Sequence, residues 1–282
     1  MCLIVFDWRP DTAHGPLFTL AANRDEYFRR ETAPLGWWPD LPQILAGRDL
    51  AGGGTWLGVS RDGRFAALTN YRAPHDMRPD APTRGMLVAD YLAGERLAPL
   101  DYLARVAERG AMYNGFNLLA GDFVRRELAW YCNRGDAPPA LLPAGAHGIS
   151  NAVLDTPWPK LARKRAELAT LTGTAPGRTS GRAPLAALTE LMLDRQTASD
   201  DTLPSTGIPL ERERALSAAF IETPDYGTRG TTALRVDVEH ERFQVHIAER
   251  SDDDGSHRLR RPGDFERAFE FEVDCSASAA ER

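Results

Sequence analysis

The chain has 282 residues, of which 43% are apolar, 26% charged and 9% aromatic, enough for one large domain or two small ones with a core that needs no metal or disulfide. Against 40 Asp and Glu stand 34 Lys and Arg, a formal net charge of −6, so no overall field draws the chain to nucleic acid or to an anionic membrane surface. No apolar stretch approaches the roughly 18 to 20 residues that cross a bilayer, and the first apolar run is broken by Asp7 and Arg9, too early for a signal-peptide core.

In chain order, residues 2–8 form an apolar run typical of a strand buried on both faces, and residues 16–22 form a second, rich in β-formers. Pro10, Asp11 and Gly15 punctuate the stretch between them, which predicts a hairpin beginning at residue 2. Strands are expected at 55–59 and 65–70, with Asp62-Gly63 as the hairpin turn between them, and again at 115–121 and 128–132. Helical spacing occupies the middle of the chain: Met86, Leu87, Tyr91 and Leu92, then Leu100, Leu103 and Val106. Residues 159–172 place Leu161, Leu168 and Leu171 on one stripe, and the run from Lys160 to Arg165 reads as a solvated basic face or a patch for phosphates. Helices at 184–195 and 209–221 open at or near proline, and strands at 232–238, 243–249 and 269–273 follow. Strands, then helices, then strands make an α+β or layered arrangement. With no internal repeat, and only the polar stretches 173–181 and 251–256 as loops, one domain over 1–275 is expected, with a disordered tail at 276–282.

Cys2 is the sharpest chemical feature. Removal of Met1 leaves an N-terminal cysteine, which carries a nucleophile and a base on one residue. The thiolate attacks, and an α-amine with an ordinary pKa of about 7.7 to 8.0 accepts the thiol proton. The same residue also reads as a small buried hydrophobe opening a strand. Directly after the second predicted strand, Asn23-Arg24-Asp25-Glu26 offers an aspartate to hold the α-ammonium and an arginine to lower the thiol pKa. The same four residues also suit a helix N-cap. Asn70 and Asn151, at predicted strand ends, are oxyanion donors or turn residues. Arg229, just before a strand, is a buried charge partner or a solvated loop residue. The run Gly52-Gly53-Gly54 leads into a strand and lacks a P-loop ending, so it reads as a tight turn that lets backbone approach the site. The six histidines have no ligand spacing, so neither metal nor cofactor is expected. The three cysteines, Cys2, Cys132 and Cys275, form no disulfide or zinc pattern, and a reducing, cytoplasmic setting is expected.

Several blocks resemble the NRDE family, also called the transport and Golgi organisation protein 2 family. They are Met1-Cys2-Leu3-Ile4, Ala22-Asn23-Arg24-Asp25-Glu26, Gly53-Gly54-Thr55-Trp56, Thr69-Asn70-Tyr71, Gly148-Ile149-Ser150-Asn151, Thr156-Pro157-Trp158-Pro159-Lys160 and Tyr226-Gly227-Thr228-Arg229, in that order. The resemblance implies an N-terminal-nucleophile hydrolase-like fold, a four-layer αββα sandwich of two antiparallel sheets. By similarity to cysteine relatives such as bile-salt hydrolases and penicillin V acylases, Cys2 is the nucleophile and Asp25 holds the α-amine. Asn151 faces the oxyanion with Asn70 assisting, and Arg229 completes the charge network. Arg24 stands immediately before Asp25, whereas the bile-salt hydrolases space their arginine further ahead. Alternation along an extended segment sets Arg24 and Asp25 on opposite faces. Asn23, Trp56 and Tyr71 are assigned to substrate contact, with Pro34, Trp37 and Trp38 as further candidate apolar walls.

The resulting functional reading is a cysteine amidohydrolase or acyltransferase acting on a small N-acyl or thioester substrate. The rival is a non-catalytic protein that binds acyl-CoA, lipid or haem on the same fold. Neither reading involves nucleic acid or a transmembrane segment.

Overall fold

The opening apolar run is strand β1 (Cys2–Trp8), buried at every position, in a computed structural model that describes residues 2–174, 181–240, 242–251 and 265–274. Met1, most of the expected loop at 173–181, the acidic stretch from residue 252, Cys275 and the tail at 276–282 lie outside the described residues. Strand β2 (Gly15–Tyr27) pairs antiparallel with β1, forming the expected hairpin. It runs five residues past the apolar segment that predicted it, because Asn23 to Tyr27 continue the ladder. Those polar residues are therefore strand and not a helix cap.

Strands β3 (Thr32–Trp37), β4 (Ile44–Asp49), β5 (Leu57–Ser60) and β6 (Arg64–Asn70) follow. Helices α1 (Gly85–Ala93) and α2 (Pro99–Glu108) lead to β7 (Phe116–Asp122), β8 (Glu127–Cys132), β9 (Ala140–Leu141) and β10 (Gly145–Ile149). Helices α3 (Pro159–Thr172), α4 (Leu185–Leu191) and α5 (Leu210–Ala215) precede β11 (Tyr226–Glu239), β12 (Arg242–Ser251) and β13 (Phe265–Glu272). The expected helix at 209–221 is confined to α5, and the two-residue β9 lies outside the expected strands, as do β3, β4 and β10. Each of these last three strands is short and contains glycine or proline, which hides its period.

One sheet has six strands in the order β10-β1-β2-β11-β12-β13, and the other has seven running β3-β4-β5-β6-β7-β8-β9. Alternation along β1 shows how they stack. Ile4, Phe6 and Trp8 join Phe18, Phe65 and Leu119 in a core between the sheets. Leu3 and Val5 pack outward against Leu161, Leu168, Leu188 and Met192 of the α3–α4 segment. On the far side of the second sheet, Ala66, Phe116 and Leu118 meet Leu87, Tyr91 and Leu103 of α1 and α2. The molecule is thus an α+β sandwich in four layers, helix, sheet, sheet, helix, as the family resemblance implies. Both faces of β1 are covered, which is why its sequence is continuously apolar and not alternating. No helix among the described residues is long and apolar enough to cross a membrane.

Candidate active site

Cys2 heads β1 directly opposite Arg24 of β2. It shares the alternation of Ile4 and Phe6, so its side chain faces the space between the sheets. A cavity of about 390 Å³ opens there, bordered by Cys2, Arg24, Asp25, Trp56, Asn70 and Arg229 among others. Cys2 is 7% exposed. Burial pushes its pKa up and the charge of Asp25 adds to that, while the N-terminal ammonium, the Asp25 backbone N–H and Arg24 pull it back. At rest Cys2 is therefore held toward the protonated thiol.

Asp25 is almost fully buried, and it pairs in register with Thr228 on β11. The Thr228 hydroxyl donates to Asp25 Oδ1 at 2.7 Å, and the Tyr226 hydroxyl donates to the Asp25 carbonyl at 2.9 Å. Burial raises the Asp25 carboxyl pKa, opposed by Lys160, the N-terminal ammonium, the Thr228 hydrogen bond and Arg24. Although Arg24 and Asp25 alternate along the strand, both border the cavity. Between Thr228 and Gly230 the register of β11 against β2 slips, leaving Arg229 as the extra residue of a β-bulge. Its buried guanidinium donates to the carbonyls of Tyr27 and Arg30. Arg229 is thus a strand residue with a buried charge, not part of a solvated loop.

Asn70 and Asn151 come together at the end of β10, the strand beside β1. Asn151 Nδ2 donates to the Asn70 carbonyl at 2.8 Å. The Ser150 hydroxyl lies 3.3 Å from the Cys2 carbonyl and 3.2 Å from Asn151 Oδ1. Asn151 therefore retains one Nδ2 proton beyond its bond to Asn70.

Asn23, Tyr71 and Asn151 do not border the cavity. Asn23 lies opposite Leu3, on the helix-covered face of the sheet. Its amide donates to the carbonyls of Met192 and Ala219 at 2.9 and 2.8 Å and its oxygen accepts from Thr231 at 2.7 Å. It tethers the helical layer to β2. Tyr71 packs against the intersheet core. Trp56 and Pro34 border the cavity, whereas Trp37 packs edge-on to Phe271 and Trp38 sits in the α1–α2 core.

The structure adds Arg72 to the site and gives Lys160 a place other than the expected basic face. Lys160, the second residue of α3, is 2% exposed, and its Nζ makes no hydrogen bond to a described residue. Its pKa falls to about 8, chiefly through burial, with the charges of Asp25 and Cys2 opposing the fall and Arg72 reinforcing it. Arg72 donates its backbone N–H to the Asn151 carbonyl at 2.7 Å and forms a buried ion pair with Glu213. The expected solvated basic face is solvated only in part. Lys164 pairs with Glu167 and Asp194, Arg163 with Asp194, and Arg165 with Asp155. Helix packing on the sheet buries Lys160 and Lys164, while Arg163 and Arg165 stay partly exposed but are paired with carboxylates. The one available signal for Lys160 was its place in the Trp158-Pro159-Lys160 block. Among the described residues, no group of three or more His, Cys, Asp or Glu side chains has the arrangement to hold a metal ion.

Residues 1–254 match the model of the family described as Transport and Golgi organisation 2. A Bos taurus Transport and Golgi organization protein 2 homolog is 37% identical over 251 residues, covering 85% of this chain and 90% of the relative. The Homo sapiens homolog is 36% identical over 285 residues, covering 94% of this chain and 99% of the relative. Among solved structures, a Caenorhabditis elegans N-acylethanolamine-hydrolyzing acid amidase ortholog aligns with a TM-score of 0.42 at 10% identity, over 83% of this chain and 92% of that one. A conjugated bile acid hydrolase from Clostridium perfringens aligns with a TM-score of 0.35 at 10% identity, over 96% of this chain and 97% of that one.

Proposed function

We propose, from the premise that the chain belongs to the Transport and Golgi organisation 2 family, that it is a cysteine amidohydrolase or acyltransferase acting on a small N-acyl or thioester substrate. The observation that carries this reading is the position of Cys2, at the head of a fully buried strand and on the wall of a cavity, beside Arg24 and the buried Asp25–Thr228 pair.

In this reading Met1 is removed and the Cys2 α-amine takes the thiol proton, the base that a buried, protonated thiol requires. The Cys2 Sγ then bonds to the acyl carbon, and the carbonyl electron pair moves onto oxygen. The remaining Nδ2 proton of Asn151 donates to that oxyanion, and its bond to the Asn70 carbonyl sets the orientation of the amide. Asp25, oriented by Thr228, holds the α-ammonium. Collapse of the intermediate breaks the C–N bond, and the ammonium returns its proton to the leaving amine. Water or a second amine attacks the acyl-Cys2 thioester, loses its proton to the α-amine, and expels the thiolate, which is reprotonated.

Intact mass after incubation with a mixed set of N-acyl amides and acyl thioesters tests this proposal. The expected result is a species lacking Met1 that gains an acyl mass, with no gain on Cys2→Ala. Equal substrate consumption by wild type and Cys2→Ala would refute it. Binding retained by Cys2→Ala, with no turnover by either protein, is the signature of the rival acyl-CoA, lipid or haem carrier.

A further inference from the structure

We infer that the cavity takes an acyl compound bearing an anionic group, a carboxylate or a phosphate, close to the bond to be cleaved. The inference deepens the amidohydrolase reading and rests on it for the position of that bond.

Three positive features meet at the wall beside Cys2. The first is Arg24, which lies opposite Cys2 in the β1–β2 register, borders the cavity and is only 9% exposed. Among the described residues its guanidinium has no hydrogen-bond or ion-pair partner. A cation buried to nine-tenths with no hydrogen bond or ion pair is costly, and a bound anion offsets that cost. The second is Arg84, also on the cavity wall, which donates Nη1 to the Gly115 carbonyl at 2.8 Å. That partner is neutral, and although the charges of Glu26 and Cys2 reach Arg84, no ion pair forms among the described residues. The third is the start of α1, whose N-cap position is Arg84 itself and which has no side-chain cap. Gly85, its first residue, borders the cavity, so the positive end of the helix faces the same space.

Close backbone contact brings this helix end to the site. Thr55 donates its N–H to the Gly85 carbonyl at 3.2 Å, and a Cβ on Gly54 would lie 2.3 Å from the Gly85 carbonyl carbon. Of the other arginines on the wall, Arg229 donates to the carbonyls of Tyr27 and Arg30, and the remaining two are held by carboxylates. Arg30 is paired with Asp49 at 2.6 Å, and Arg48 with Asp40 at 2.6 Å. Arg24 stands directly opposite Cys2 in the β1–β2 register, which puts the anion near the reacting carbon and not at a distant mouth.

The test is calorimetric binding to the Cys2→Ala protein, which cannot form an acyl adduct, with three matched probes. These are N-octanoylglycine, N-octanoyl-O-phosphoethanolamine and neutral N-octanoylglycinamide. At least one anion is expected to bind about tenfold or more tightly than the neutral amide, the margin of charge-assisted hydrogen bonds; which of the two does so separates carboxylate from phosphate recognition. Adding Arg24→Gln or Arg84→Gln should remove most of that preference while the neutral amide binds as before, and Arg24→Lys should restore part of it. Equal affinity for all three probes, or no binding of either anion, overturns the inference. Release of octanoate from the same probes by the wild-type protein separates the two claims. Anion preference without turnover refutes the amidohydrolase reading and leaves this inference standing. Turnover of charged and neutral amides with equal kcat/KM does the reverse.

Discussion

Replacing Lys160 by Met tests how the site carries its buried charge. Lys160 and Lys164 are the only two lysines in the chain, and Lys160 sits almost fully buried behind Asp25. Its ammonium pKa drops from 10.5 to about 8, a difference of 10.5 − 8 = 2.5. At about 1.4 kcal/mol per unit, this corresponds to about 3 kcal/mol. The folded-state value lies below the unfolded one, so between pH 8 and 10.5 the unfolded chain binds more protons. Stability from this group therefore rises with pH across that window, and its full cost is present below about pH 8. Lys160→Met keeps an apolar stem and removes the titration. The variant should be more stable than wild type at pH 7 by up to about 3 kcal/mol, an upper figure because Asp25 loses an opposing charge. The gap should close as pH approaches 10.5. Urea unfolding followed by tryptophan fluorescence at intervals across this range measures it, and the difference between the two proteins cancels the other titrating groups. A direct reading comes from isotopically labelled lysine, where one of just two side-chain signals should titrate near pH 8. A stability difference that does not change with pH, together with both signals titrating in the ordinary lysine range, would refute the reasoning.

Other substitutions probe the surroundings. Thr228→Val removes a hydrogen bond that lowers the Asp25 pKa, so the acid limb of Cys2 acylation should move to higher pH; an unmoved limb would dissociate Asp25 from the reaction. Glu213→Gln removes the carboxylate from the buried ion pair with Arg72 and should cost about 3 to 5 kcal/mol in chemical denaturation. Gly54→Ala forces a Cβ into the backbone of Gly85; a loss of about 1 to 3 kcal/mol is expected, with weaker anion binding because the α1 end shifts. Asn23→Leu orphans the Met192 and Ala219 carbonyls. It should cost about 1 to 3 kcal/mol and leave affinity for the matched probes unchanged, since Asn23 lies off the cavity wall.

Where local chemistry is decisive, the sequence reading and the structure coincide. Helix α3 occupies the expected residues because Pro159 suits its first turn and Gly173, in the left-handed region at φ 75°, ends it. The β5–β6 hairpin turns at Gly63, with φ 85°, where the Asp-Gly signal stood. Strands β2 and β11 extend beyond their apolar segments because each supplies the other's ladder through residues such as Asp25 and Thr228. No window along one strand contains that information.

The amino-acid sequence by itself determined the family, the layered α+β class, the buried first strand with Cys2 at its head, and the candidates Arg24, Asp25, Asn70, Asn151 and Arg229. These rest on side-chain type, short spacing and ordered motifs, all of which are local. The tertiary structure alone decided that Asn23 tethers a helix while Arg24 borders the cavity, that Lys160 is buried beneath the sheet, and that Arg72 meets Glu213. It also decided that the uncapped end of α1 faces the space beside Cys2. Arg72 and Glu213 lie 141 positions apart, and whether such charges are solvated, paired or left to meet a ligand depends on which layer covers them. Burial and long-range pairing are properties of the packed sheets and helices, and no single segment carries them.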